Sequence, residues 1–128
     1  MKGTLYGTTD EGGSHGAGTV FSIDPGTGAE TVLHSFGGTG DGSTPYASLI
    51  DVKGKLYGTT ETGGAAAAGT VFSVDPKTGA EAVVYSFLGG TDGKGPDASL
   101  IDVKGTLYGT TNEGGTDGYG TVFALRKP

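Results

Sequence analysis

The sequence predicts an all-β fold: β-propeller-type blades of four antiparallel strands, in about 2.5 repeats of 51 residues. Three observations carry this. The first is a gapless internal period. Leu5-Tyr6-Gly7-Thr8-Thr9 returns as Leu56 to Thr60 and as Leu107 to Thr111, and Gly18-Thr19-Val20-Phe21 returns at Gly69 to Phe72 and Gly120 to Phe123. Residues 1–51 and 52–102 agree at 33 of 51 positions. The second is that each period holds four short runs rich in β-branched and aromatic residues, bounded by Gly, Pro or Asp clusters. The third is the spread of 28 glycines over 128 residues: the longest glycine-free run is Ser43 to Lys53, and it contains Pro45. An ordinary helical domain does not fit between such breakers.

In the middle copy the first expected strand is Ala47-Ser48-Leu49-Ile50-Asp51. The tight turn Asp51-Val52-Lys53-Gly54, with Gly54 free to take positive φ, leads to the second strand, Lys55 to Thr60. A longer loop of small residues, Glu61 to Ala68, precedes the third strand, Thr70 to Asp75. Asp75-Pro76-Lys77-Thr78-Gly79 reads as a hairpin: Asp accepts a backbone hydrogen bond, Pro presets φ and Gly supplies the left-handed residue. The fourth strand is Ala82 to Phe87, with Val83, Tyr85 and Phe87 on one face and apolar Val84 on the other, as in a sheet covered on both sides. Leu88 to Asp97 connects to the next unit. The units are 1–42 (strands 2–4), 43–93 (strands 1–4) and 94–128 (strands 1–3). A parallel β-helix is the alternative, but its coils are shorter and lack two hairpins per repeat. The expected core, between blades, is Val20, Phe21, Val71, Phe72, Val122, Phe123 and the pairs Leu5-Tyr6, Leu56-Tyr57 and Leu107-Tyr108, with the Gly-rich loops exposed.

Composition narrows function. There is no Cys, hence no disulfide framework, thiolate nucleophile or Cys-based zinc site. A net charge of -6 offers nothing to neutralise phosphates, so no nucleic-acid partner is expected. No apolar run approaches the length of a membrane span, and Met1-Lys2-Gly3 opens no signal peptide.

His34 stands at the repeat position of Tyr85, sharing a face with Val32 and Phe36, and reads as a packing residue. His15 lies in a variable loop. Asp41 and Asp92, in Gly-rich connections, are weak ligand candidates that read better as turn residues; one Asp per loop is too few for calcium. Asp24, Asp75, Asp51 and Asp102 belong to turns, and no acid pair is spaced for general acid–base work. Gly12-Gly13 precedes no helix that would hold a phosphate. No cofactor, catalytic group or metal site is expected. The constant Tyr-Gly-Thr-Thr offers Thr9, Thr60 and Thr111 as ligand-binding hydroxyls. The competing structural reading gives Gly a role in close backbone approach and Thr a place in a crowded strand.

The repeated Leu-Tyr-Gly-Thr-Thr…Gly-Gly…Gly-Thr-Val-Phe…Asp-Pro-x-Thr-Gly-x-Glu resembles the tandem repeats called GloVer, found in bacterial surface proteins, and does so over essentially the whole chain. The resemblance implies a propeller-like extracellular or cell-surface array in a parent protein, with no established activity. The Asp-x-x-Thr-Gly turn is also similar to quinoprotein propeller blades, whose tryptophan is missing here. The expected function is a non-enzymatic β-propeller repeat module for surface display or interaction. The alternative is a lectin-like polysaccharide binder with one weak site per blade. Because propellers need at least four blades to close a ring, a cyclic homo-oligomer is expected, most simply a dimer. A fragment stable only beside its missing neighbours is the competing picture.

Overall fold

A computed structural model describes residues 3–126; Met1, Lys2, Lys127 and Pro128 lie outside the described residues. The protein is all-β with β-propeller-type sheets. The first sheet holds β1 (Leu5–Thr9), β2 (Thr19–Ile23) and β3 (Glu30–Ser35) in that order. A short β4 (Gly42–Ser43) follows, then β5 (Ile50–Val52), β6 (Lys55–Thr60), the short β7 (Thr62–Gly63), β8 (Thr70–Val74) and β9 (Glu81–Ser86). The second sheet has the order β5-β6-β8-β9, while β4 and β7 pair separately. After a single 3-10 turn at Gly90–Asp92, β10 (Ile101–Val103), β11 (Thr106–Thr111) and β12 (Thr121–Arg126) form the third sheet. The strands of these sheets pair antiparallel.

Local chemistry sets the turns. Val52 pairs with Lys55, so Lys53-Gly54 is a two-residue hairpin loop. Both residues have positive φ, 53° and 84°, which matches the right-handed twist of the flanking strands. Asp51 Oδ1 accepts from Gly54 N at 2.9 Å. In the longer hairpin Asp75 Oδ1 accepts from Lys77 N (2.9 Å), and Gly79 N donates to Asp75 O (2.7 Å).

Two apolar clusters lie between the sheets. Val20 and Phe36 of the first unit meet Phe72 and Val74 of the second, and Tyr57, Val71 and Phe87 of the second meet Leu100 and Leu107 of the third. Edge-on ring pairs cross both junctions, Phe36–Phe72 at 4.9 Å and Phe87–Phe123 at 5.0 Å. The glycine of Leu-Tyr-Gly-Thr-Thr serves this packing. A Cβ on Gly58 would lie 2.7 Å from the Phe72 ring, so the close approach is by a side chain rather than by neighbouring backbone.

Several expectations are corrected. Residues 47–49 are not strand: Ala47 O accepts from Thr8 Oγ1 (3.1 Å) and Leu49 packs into the first junction, so the segment ties two sheets together instead of extending a ladder. The fourth strand does not alternate simply. Val71 pairs with Tyr85 but Phe72 with Val83, so Val84 is bulged. Val84 and Tyr85 therefore both reach the second junction, while Val83 is exposed. The same bulge in the first unit turns Leu33 inward and leaves Val32, which was expected on the face of His34, in solvent.

The expected core is complete only in the middle copy. Leu5, Tyr108 and Val122 are exposed, the last at 80%, because no described sheet covers their faces. Nor are all Gly-rich loops exposed: Gly42, Pro45, Gly93, Gly95 and Pro96 are buried where the connectors pass between units.

Candidate functional site

The three repeated threonines are positioned identically at the mouth of the hairpin that joins the second and third strands of each unit. Thr60 Oγ1 lies 2.7 Å from Thr70 Oγ1, accepts from Thr70 N (3.2 Å) and donates to Thr62 O (3.0 Å). Thr9 with Thr19 and Thr111 with Thr121 repeat the arrangement at 2.9 and 2.8 Å. Gly42 of the connector lies over the Thr60–Thr70 pair: a Cβ there would come within 2.6 Å of Thr70 Oγ1. These hydroxyls are engaged within the fold.

Beside them, connectors and loops converge on an acidic rim. A cleft is lined by Glu61, Thr62, Lys94, Gly95, Asn112 and Glu113. Burial, then the charges of Asp97 and Glu113, raise the Glu61 pKa. The Glu61 carboxylate in turn is the main cause of a raised Tyr46 phenol, with partial burial and Asp10, Glu11 and Asp97 adding to it. Asn112 donates to Asp97 at 3.2 Å.

The other polar gathering lies at the first junction. The hairpin at 75–80 leans on the first sheet at the Leu33 bulge, close enough that a Cβ on Gly79 would sit 2.7 Å from Leu33 O. This carries Glu81 to His34 and Asp41. His34 Nε2 lies 2.8 Å from Asp41 Oδ2 and 3.7 Å from Glu81 Oε1. Asp41 Oδ1 accepts from Gly42 N at 2.8 Å, and the imidazole stands edge-on to Phe36 at 4.7 Å. His34 thus packs as expected and also hydrogen-bonds. The Glu81 side chain is only 9% exposed and its Oε2 has no hydrogen-bond partner. Burial pushes the Glu81 carboxyl up to about 8, helped by the Asp41 charge and a hydrogen bond to Asp41.

At the second junction the arrangement differs by one residue type. Tyr85 Oη donates to Asp92 Oδ2 at 2.7 Å, and Leu88 N donates to the same oxygen at 2.8 Å. That bond is the main cause of the raised Tyr85 pKa, with burial and the Asp92 charge behind it. Asp41 and Asp92 are thus brought to the position 34 and 85 side chains, while the threonines are not brought to either. Glu81 was not foreseen as part of a site. The one sequence signal was its recurrence at the Glu30 position, directly after the hairpin.

The chain is similar in fold to two crystal structures described as a putative 6-phosphogluconolactonase, from Bacteroides uniformis ATCC 8492 and Bacteroides fragilis NCTC 9343. Identities are 21% and 20%, and the TM-score is 0.53 for both. The matches cover 94% and 96% of this chain but 36% and 35% of those chains, so the protein spans about a third of their length. No curated protein matches it. Among the described residues no helix is long and apolar enough to cross a membrane. The Gloeobacter/Verrucomicrobia repeat model matches residues 1–128, and the chain belongs to that repeat family.

Proposed function

We propose that this chain is a non-enzymatic β-propeller-type repeat module for display and interaction, on the bacterial cell surface, which associates with a second copy of itself. The observation that carries this is the outer face of the third sheet. Ile101, Tyr108 and Val122 are 60%, 38% and 80% exposed there. Their repeat equivalents Ile50, Tyr57 and Val71 pack in the cluster that the third sheet covers. A face that buries itself against the next repeat unit in one place has a shape-matched partner in another copy of that unit. The engagement of the repeated Thr hydroxyls in internal bonds supports a structural rather than catalytic constant. The surface location rests on the resemblance to repeats of bacterial surface proteins.

Light scattering across a concentration series tests the association. A dimer or larger closed oligomer is expected, reverting toward monomer in Val122→Asp; a monomer at every concentration overturns it. Turnover of 6-phosphogluconolactone would overturn the non-enzymatic reading. The glycan-binding alternative is favoured by the polar cleft of Glu61, Lys94 and Asn112. A glycan array without hits removes it.

A further inference from the structure

We propose that His34, Asp41 and Glu81 form a binding site for one divalent cation of the zinc type, which clips the first sheet to the second. The donor set is one imidazole nitrogen and two carboxylates. The three donor atoms lie within 4.8 Å of one another, with His34 Nε2 2.8 Å from Asp41 Oδ2 and 3.7 Å from Glu81 Oε1. Bonds of about 2.0–2.2 Å in a tetrahedral site put donors roughly 3.3–3.6 Å apart. To close on an ion, with water as fourth ligand, the His34–Asp41 pair opens by roughly 0.5–0.8 Å and the Glu81 carboxylate moves by up to about an ångström, within reach of side-chain rotation. The imidazole selects zinc and its neighbours over magnesium or calcium, which prefer all-oxygen shells.

Two further features favour a cation there. The Glu81 side chain is nine-tenths buried, yet its Oε2 has no hydrogen-bond partner. Among the described residues neither carboxylate is paired with Lys or Arg: their ion-pair partner is His34. A divalent ion held by Asp41 Oδ2 and Glu81 Oε1 would neutralise two adjacent carboxylates in this partly dehydrated junction. The second junction is an internal contrast. There Tyr85 replaces the imidazole and closes directly on Asp92, leaving no nitrogen donor.

The test is thermal melting and isothermal titration of the chelator-treated full chain with zinc, magnesium and calcium chlorides. Zinc is expected to bind one per chain and to raise the Tm by roughly 5–10 °C when free zinc is 100-fold above its Kd. Magnesium and calcium are expected to do neither. His34→Tyr installs the residue found at the same repeat position of the second junction; it is expected to stay folded without metal, checked by its metal-free melt, and to abolish the zinc shift, while Glu81→Gln should weaken binding at least tenfold. His15→Ala should leave both stoichiometry and shift unchanged. Absence of a zinc-dependent shift in the unaltered chain, or its persistence in His34→Tyr, overturns the proposal.

Discussion

At the residue scale, the repeat is held by a few contacts between large and very small side chains. Phe72 is fully buried, touches Phe36 across the junction and lies over Gly58. Phe72→Ala removes the ring from a site that glycine cannot refill. It is expected to cost about 3–5 kcal/mol in denaturant unfolding; a loss under about 0.5 kcal/mol, as for a surface residue, would show that this packing is not the core. Glu81 makes the second prediction, for protein kept metal-free by chelator. Its folded pKa of about 8 is above the ordinary 4.5, so the folded state holds a proton that the unfolded state has lost between those pH values. Stability from this group is full below about pH 4.5 and is lost as pH rises through 8. Melting temperatures across that range should fall, and Glu81→Gln, which is neutral throughout, should flatten the fall. An unchanged slope in the variant would contradict the assignment.

At the scale of single elements, the hairpins carry their own instructions, and one instruction is suboptimal. Lys53 and Lys104 each hold φ at 53°, beside Gly54 and Gly105, in the turns that close β5–β6 and β10–β11. An L-residue other than Asn, Asp or Gly is strained there. Lys53→Asn is therefore expected to stabilise by up to about 1 kcal/mol. Lys104→Asn should add a similar increment, because the turns lie in separate sheets. Chemical denaturation of the single and double variants checks both size and additivity; destabilisation by either would mean that the lysine stem contributes packing of its own. The bulges are another matter. Val84 and Leu33 are displaced by one residue relative to their partner strands, and no turn residue or glycine nearby announces it.

For the whole molecule, three sheets of nearly the same sequence have unequal environments. Every residue of β8 is buried, whereas every residue of β10 is exposed and β1 has none that is buried. Stability in a repeat array is the sum of intrinsic terms and interfaces between neighbours, so the sheet with two neighbours should open last. Amide hydrogen exchange is expected to be slowest in β6 and β8 and markedly faster in β1 and β10. Uniform protection across the three sheets would show that they open as a single cooperative unit.

The strands, the turns and the period were legible in the sequence because each depends on a few adjacent residues. Asp51 to Gly54 and Asp75 to Gly79 bend the chain with their own hydrogen bonds, and the Val-Phe and Leu-Tyr runs mark strands wherever they recur. Thr60 likewise reads as a strand residue from its type, although nothing local in the sequence pairs it with Thr70. Only the tertiary structure decided the rest. Val71 is fully buried and Val122 is 80% exposed although both occupy one repeat position, because burial belongs to the neighbouring sheet and not to the residue. His34 and Glu81 are far apart along the chain and meet because one unit's hairpin leans on the preceding unit's bulged strand. Local propensity acts within a few residues, whereas a site built across a junction exists only once the sheets have stacked.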